Sequence, residues 1–229
     1  VYEEMKNVLI FWLDKGVDGF RLDAVQHIFE DINFPDEPRS NKSSALPDDY
    51  DYLDHIYSKN QEETYQVLKD WRVILDRYSV NGKKRFMMSE SYADLDTVMK
   101  FYGTSSEPAS HFPFNFLFID SIHRSSTATY IKEKIDEWYS KMPQHGWANW
   151  VLGNHDNSRP ASRYGQYLID GLHMIQLLLP GTSIVYNGDE LGMEDTFIRW
   201  DQTVDPPALN AGPERYLPFS RDKARTPFH

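Results

Sequence analysis

A chain of 229 residues with 40% hydrophobic content can bury a substantial core in one or two domains. Its 24 basic residues against 35 acidic give a net charge of −11, which argues against nucleic acid or an anionic membrane surface as partner and suits a neutral ligand. The absence of cysteine excludes a disulfide framework and leaves the redox compartment undefined, and no apolar run reaches transmembrane length.

Met5, Val8, Leu9, Trp12 and Leu13 recur at helical spacing, which predicts an amphipathic helix over residues 1–15 closed by Gly16. Residues 17–22 read as a brief buried strand ending at Asp23. Arg21 precedes Asp23 by two positions, so on a pleated strand both side chains share a face. The guanidinium can then lie beside the carboxylate and favour its ionised form. Residues 31–54, rich in Pro, Asp, Ser and Asn, predict a long surface loop. It carries the sequon Asn41-Lys42-Ser43, which has meaning only in a secreted protein.

Tyr65, Leu68, Trp71, Ile74, Leu75 and Tyr78 predict a second long helix, Asn81-Gly82 a turn, and residues 85–89 a strand followed by Glu90. A helix over 95–102 and a short strand over the apolar run 111–118 come next. Ile131, Ile135 and Trp138 line another helix, and residues 149–152 form a strand leading into Gly153-Asn154-His155-Asp156. Leu168, Leu172, Ile175 and Leu179 mark a further helix, and residues 182–186 the last strand.

Strands alternating with helices, with carboxylates just beyond strand ends, give an α/β chain of the (β/α) barrel kind, whose sites lie at the C-terminal face of the strands. A doubly wound open sheet alternates in the same way, but the Gly-rich phosphate loop expected there is absent. Taken alone, Arg21 with Asp23 reads equally well as an ion pair at a sheet end, and Glu90 as a surface residue after a strand.

Several stretches read together resemble one family. GFRLDAVQH, from Gly19 to His27, resembles the nucleophile region of the α-amylase superfamily of glycoside hydrolases, glycoside hydrolase family 13. MSESYAD, from Met88 to Asp94, resembles its acid/base region, and GNHD, ending at Asp156, its third-carboxylate region. LPGTSIVYNGDELGMED, IRWDQTVDPPALNAGP and SRDKARTPF narrow the resemblance to the insect maltases. The resemblance implies a partial (β/α)8 TIM barrel in which the five predicted strands are approximately strands 4 to 8. Residues 1–229 then form the C-terminal part of the catalytic barrel, without its first three strands, inserted domain or C-terminal β-domain. With no initiator Met, no signal-peptide pattern and an end inside a motif, the chain reads as an internal segment. Alone, with sheet edges open, it is expected to be poorly soluble and inactive.

The resemblance also implies roles. Asp23 is the nucleophile, with Arg21 touching it. Glu90 is the acid/base, its pKa raised by anionic neighbours and partial desolvation. Asp156 binds sugar hydroxyls and stabilises the transition state, His155 donates to a hydroxyl beside it, and Arg225 lines the substrate entrance. Ala24, where a Val in relatives goes with α-1,6 linkages, leans toward α-1,4 substrates and sucrose. His27 is expected to pack or cap, and Asp189 with Glu190 to support the rim. Asn157-Ser158-Arg159 and Gln26 depart from the family pattern, beside the sugar-binding residues.

The implied function is a retaining, exo-acting α-glucosidase acting on small α-glucosides, secreted or anchored outside the cell. The alternatives are a sucrose-specific hydrolase or transglucosidase, a non-catalytic subunit like the heavy chains of amino-acid transporters, or a receptor. No cofactor is expected. Calcium binding by the full-length protein stays open, because the family's calcium sites largely use loops outside this sequence.

Overall fold

The computed structural model describes residues 1–228, which divide into two compact units. The first comprises Val1–Phe114 with Trp138–Trp147, and the second Asn115–Glu137 with the chain from Ala148 onward.

In the first unit, helix α1 (Tyr2–Asp14) leads through Gly16, at φ 92°, into strand β1 (Gly19–Leu22). Helix α2 (Glu62–Tyr78), strand β2 (Phe86–Ser89), helix α3 (Leu95–Lys100) and the two-residue strand β3 (Phe112–Pro113) follow. The strands form a parallel sheet in the order β1-β2-β3, the arrangement that successive right-handed βα units produce. Gly19 lies so near β2 that a Cβ would sit 2.4 Å from the Phe86 carbonyl oxygen, so only glycine permits this approach.

Leu9, Leu13, Leu68, Leu75, Met87 and Phe101 build the core of this unit. The predicted apolar stripe of α1 is buried along one edge only. Leu9 and Leu13 pack inward while Met5, Val8 and Trp12 stay exposed. The Tyr78 hydroxyl donates to Asp14 Oδ1 at 2.6 Å and that of Tyr2 to Asp70, so α1 and α2 run side by side in the same direction. Residues 31–54 are irregular apart from a 3-10 turn at Tyr50–Tyr52 and a bridge between Arg39 and Leu53, with Asn41 exposed.

In the second unit, helix α4 (Leu117–Ser121), the part of helix α5 (Ala128–Lys141) up to Glu137, strand β4 (Asn149–Val151), helix α6 (Pro160–Tyr164), helix α7 (Gln166–Leu178) and strand β5 (Thr182–Ile184) continue the alternation. Helices α8 (Pro206–Ala211) and α9 (Tyr216–Phe219) follow. Strands β4 and β5 pair in parallel, Trp150 opposite Ser183. Gln176 of α7 is buried and its Nε2 donates to the carbonyls of Trp150 and Ile184 at 3.0 and 2.7 Å, clasping the two strands. The buried face of α7 is therefore Ile169, Leu172 and Gln176, offset from the predicted apolar stripe.

The apolar run 111–118 is only briefly a strand. Pro113 has no N–H for a ladder, and Asn115 Oδ1 accepts from the Leu117 N–H at 3.1 Å, an Asx turn that starts α4. Helices α6 and α8 went unpredicted although each begins with proline, a residue suited to a first helical position. The last strand ends at Ile184, two residues before the predicted limit.

Candidate active site

Strands β1 and β2 pair with Leu22 opposite Ser89, so the next residues, Asp23 and Glu90, leave the sheet side by side. The Glu90 N–H donates to the Leu22 carbonyl at 2.9 Å and the Val25 N–H to the Glu90 carbonyl at 3.0 Å, which extends the register past the strand tips. Arg21 lies opposite Met88, and strand alternation places Arg21, Asp23 and Glu90 on one face. Arg21 Nη1 is 2.7 Å from Asp23 Oδ1 and its Nη2 is 2.7 Å from Glu90 Oε2, so one guanidinium holds both carboxyl groups. The same guanidinium lies over the Phe114 ring, 5.8 Å from its centroid.

The two carboxyl groups are also hydrogen-bonded to each other. Their settings differ. The Asp23 side chain is 71% exposed and that of Glu90 only 6%. Burial pushes the Glu90 carboxyl up, and its bond to Asp23 pushes it further. The Arg21 charge and the Ala24 N–H, which donates to Oε2 at 3.3 Å, pull it back, and the balance is about 7. Near neutral pH Glu90 can thus hold a proton for donation, beside an exposed carboxylate on a shared cation. The raised pKa agrees with expectation, with burial as the larger cause. Ala24 itself has a left-handed backbone, φ 45° and ψ 42°, which turns the chain into the 3-10 turn that follows.

In the second unit Asp156 lies five residues beyond β4, in a turn where Asn154 Oδ1 accepts its N–H at 3.0 Å, and so less directly at a strand tip than expected. Its Oδ1 accepts from Arg225 Nη2 at 2.7 Å and from Arg221 Nη1 at 3.0 Å, while Oδ2 lies 3.4 Å from His155 Nε2. Arg225 Nε also donates to the His155 carbonyl at 2.7 Å, so Arg225 is bound to the turn that carries Asp156.

Arg221 was not singled out from sequence. It lies four residues before Arg225 in SRDKARTPF, and its Nε and Nη2 grip Asp205 at 2.5–3.1 Å. The Asp205 side chain is fully buried. Burial alone would raise its pKa, but Arg221 outweighs that and holds it below the usual carboxylate range. Asp189 and Glu190 lie in the supporting position expected of them. Asp189 forms a buried pair with Arg159 Nη1 at 2.9 Å, and Glu190 Oε2 accepts the Gly188 N–H at 2.8 Å. Arg159 in turn lies under the Tyr186 ring, 4.3 Å from its centroid. His27 ends a 3-10 turn with Nδ1 3.3 Å from the Ser58 carbonyl, a packing role. Among the described residues no group of three or more His, Asp or Glu is arranged to hold a metal, and no helix is long and apolar enough to cross a membrane.

The sequence over residues 1–229 matches the family of the α-amylase catalytic domain. The chain belongs to that family. It is 46% identical to maltase A1 of Drosophila melanogaster over 237 residues, covering 100% of this chain and 41% of that protein. It is 42% identical to a salivary α-glucosidase of Anopheles gambiae over 231 residues, 99% of this chain and 39% of that protein. The crystal structure of an α-glucosyl transfer enzyme, XgtA, superposes with a TM-score of 0.82 at 25% identity, over 99% of this chain and 42% of that one. The chain thus spans about two fifths of the length of the proteins it matches. The α-amylase-family domain has the (β/α)8 barrel fold, of which this chain forms a part.

Proposed function

We propose that the protein containing this chain is a retaining, exo-acting α-glucosidase that releases terminal α-1,4-linked glucose from maltose, sucrose and short oligosaccharides. The observation that carries this reading is the contact between Asp23 and the half-neutral, buried Glu90. Retaining glycosidases keep their two carboxyl groups about 5–5.5 Å apart, whereas inverting ones need about 6.5–9.5 Å to admit a water. Two carboxyl groups each held 2.7 Å from a nitrogen of the same guanidinium are in keeping with the shorter separation.

In this mechanism an Asp23 oxygen attacks the anomeric carbon as Glu90 gives its proton to the glycosidic oxygen, the C–O bond breaks and the leaving sugar departs. The product is a glucosyl ester of Asp23. Esterification removes the anionic neighbour that raises Glu90, so the ionised Glu90 can take a proton from water. That water attacks the anomeric carbon, glucose leaves and Asp23 is restored. Arg21 orients both carboxyl groups through the cycle. A sugar hydroxyl replacing the water gives glucosyl transfer, a second outcome favoured by the likeness to an α-glucosyl transfer enzyme.

Asp156 is assigned to sugar hydroxyls and the oxocarbenium-like transition state, His155 to an adjacent hydroxyl and Arg225 to the substrate entrance, each from its motif. Ala24 leans toward α-1,4 linkages. The strands correspond to strands 4 to 8 of the barrel, and the chain to the C-terminal part of the catalytic domain. Relatives named as salivary enzymes support secretion, where exposed Asn41 is open to glycosylation.

The test is hydrolysis of maltose, sucrose and isomaltose by the intact protein and its Asp23→Asn and Glu90→Gln variants. Turnover of maltose or sucrose is expected, with Glu90→Gln lowering kcat about 10²–10⁴-fold and Asp23→Asn at least as much. No turnover by the folded intact protein sinks the reading and favours a non-catalytic subunit or receptor.

A further inference from the structure

Asp156 has two oxygens in different situations. Oδ1 takes two charge-assisted bonds, from Arg221 and Arg225, whereas Oδ2 faces His155 Nε2 at 3.4 Å. A carboxylate pinned through one oxygen by two guanidinium groups has its plane fixed and offers the other oxygen in one direction. The two arginines are held differently. Arg225 leans on the His155 carbonyl, part of the turn it binds, whereas Arg221 is anchored to the fully buried Asp205.

The Asp205 anchor is built from both sides. Asp205 Oδ2 accepts the Arg221 N–H at 2.7 Å, and Asp222 Oδ2 accepts the N–H groups of Val204 and Asp205 at 2.9 and 3.2 Å. Residues 204–205 and 221–222 are therefore stitched to each other reciprocally. Asp205 stands at the N-cap of α8, where an aspartate ordinarily accepts a helix N–H, yet its side chain makes no such bond. Pro206 and Pro207 have no N–H to offer, and the carboxylate is turned to Arg221 instead. Buried ion pairs contribute little net stability compared with apolar packing, so stability alone is a weak reason for this arrangement.

We propose that Arg221, held by Asp205, is a positioning residue that fixes the orientation of Asp156 and so leaves Oδ2 aimed for a substrate hydroxyl. This rests on the assignment of Asp156 made above and names two residues that act through it. Removing the Arg221 guanidinium leaves Asp156 Oδ1 on Arg225 alone, which is tied only to the turn that carries Asp156, so the plane of the carboxylate is less well fixed and transition-state stabilisation falls more than ground-state binding.

The experiment is a double-mutant cycle in the intact protein, with maltose and an aryl α-glucoside as substrates and a thermal melt for every variant. Arg221→Met is expected to lower kcat about 10–100-fold with KM changed less than about 5-fold. In an Asp156→Asn background the same change is expected to cost less than about 3-fold, because its target is already gone. Arg221→Lys should recover part of the loss. Asp205→Asn should lose about 3–10-fold and show the same non-additivity, and it carries the cycle if Arg221→Met does not fold. Wild-type kinetics in Arg221→Met, or equal losses in both backgrounds, overturn the inference while leaving the α-glucosidase reading intact. A folded wild-type protein that turns over neither substrate overturns both.

Discussion

Each unit holds a pair of acids on arginine, and the two pairs behave in opposite ways. In the first, one guanidinium serves both Asp23 and Glu90, and the buried member is driven up to about 7. In the second, Arg221 and Arg225 serve Asp156 and Asp205, and the buried member, Asp205, is held below its usual range. Burial raises both Glu90 and Asp205, so burial does not separate them. The number of cations per carboxyl group, and the acid-to-acid hydrogen bond found at Glu90, do. A carboxyl group that can hold a proton near neutral pH results where the positive charge falls short, and a firmly ionised one where it suffices.

The largest perturbation of this contrast is removal of the single cation from the first pair. Arg21→Met should move the Glu90 titration, followed by carboxyl NMR of the intact protein, upward from about 7, since Arg21 is a charge that favours ionised Glu90. With Asp23 unsupported as well, kcat/KM should fall by about 10²-fold or more. An unmoved titration would mean that Arg21 only packs.

A smaller effect concerns stability. Glu90 is raised from 4.5 to about 7, so folding favours its neutral form. Its contribution is fully present below the unfolded value of about 4.5 and is lost as pH rises through about 7. Glu90→Gln cannot ionise. Relative to wild type, its unfolding free energy in urea should therefore gain on the order of 1–3 kcal/mol between pH 4.5 and 7.5. Parallel pH profiles for the two proteins would mean that folding does not raise the Glu90 pKa.

The first pair was legible in the sequence because it depends on local rules. Two-residue alternation places Arg21 beside Asp23, and a strand ending at Ser89 delivers Glu90 at its tip. What the sequence could not show is the in-register pairing of β1 with β2, which brings the two carboxyl groups together. The second pair joins residues from three separate stretches, and no periodicity links Asp205 to Arg221. Its one visible sign was an aspartate before two prolines, a helix start whose cap has no N–H at the next two positions to bind. The same dependence on context limited the elements. Asn115 ended the third strand through an Asx turn inside an apolar run, and the buried position on α7 falls to Gln176 rather than to the expected Ile175 because its amide clasps β4 and β5.

The most direct test of paired carboxyl groups in contact is the stereochemistry of the first product. Proton NMR of an aryl α-glucoside, whose leaving group is not a sugar, hydrolysed by the intact protein should show α-glucose first, with the β-anomer appearing only by mutarotation. If β-glucose appears first, a water has reached the anomeric carbon from the opposite face, and Asp23 and Glu90 do not work as the contacting pair described here.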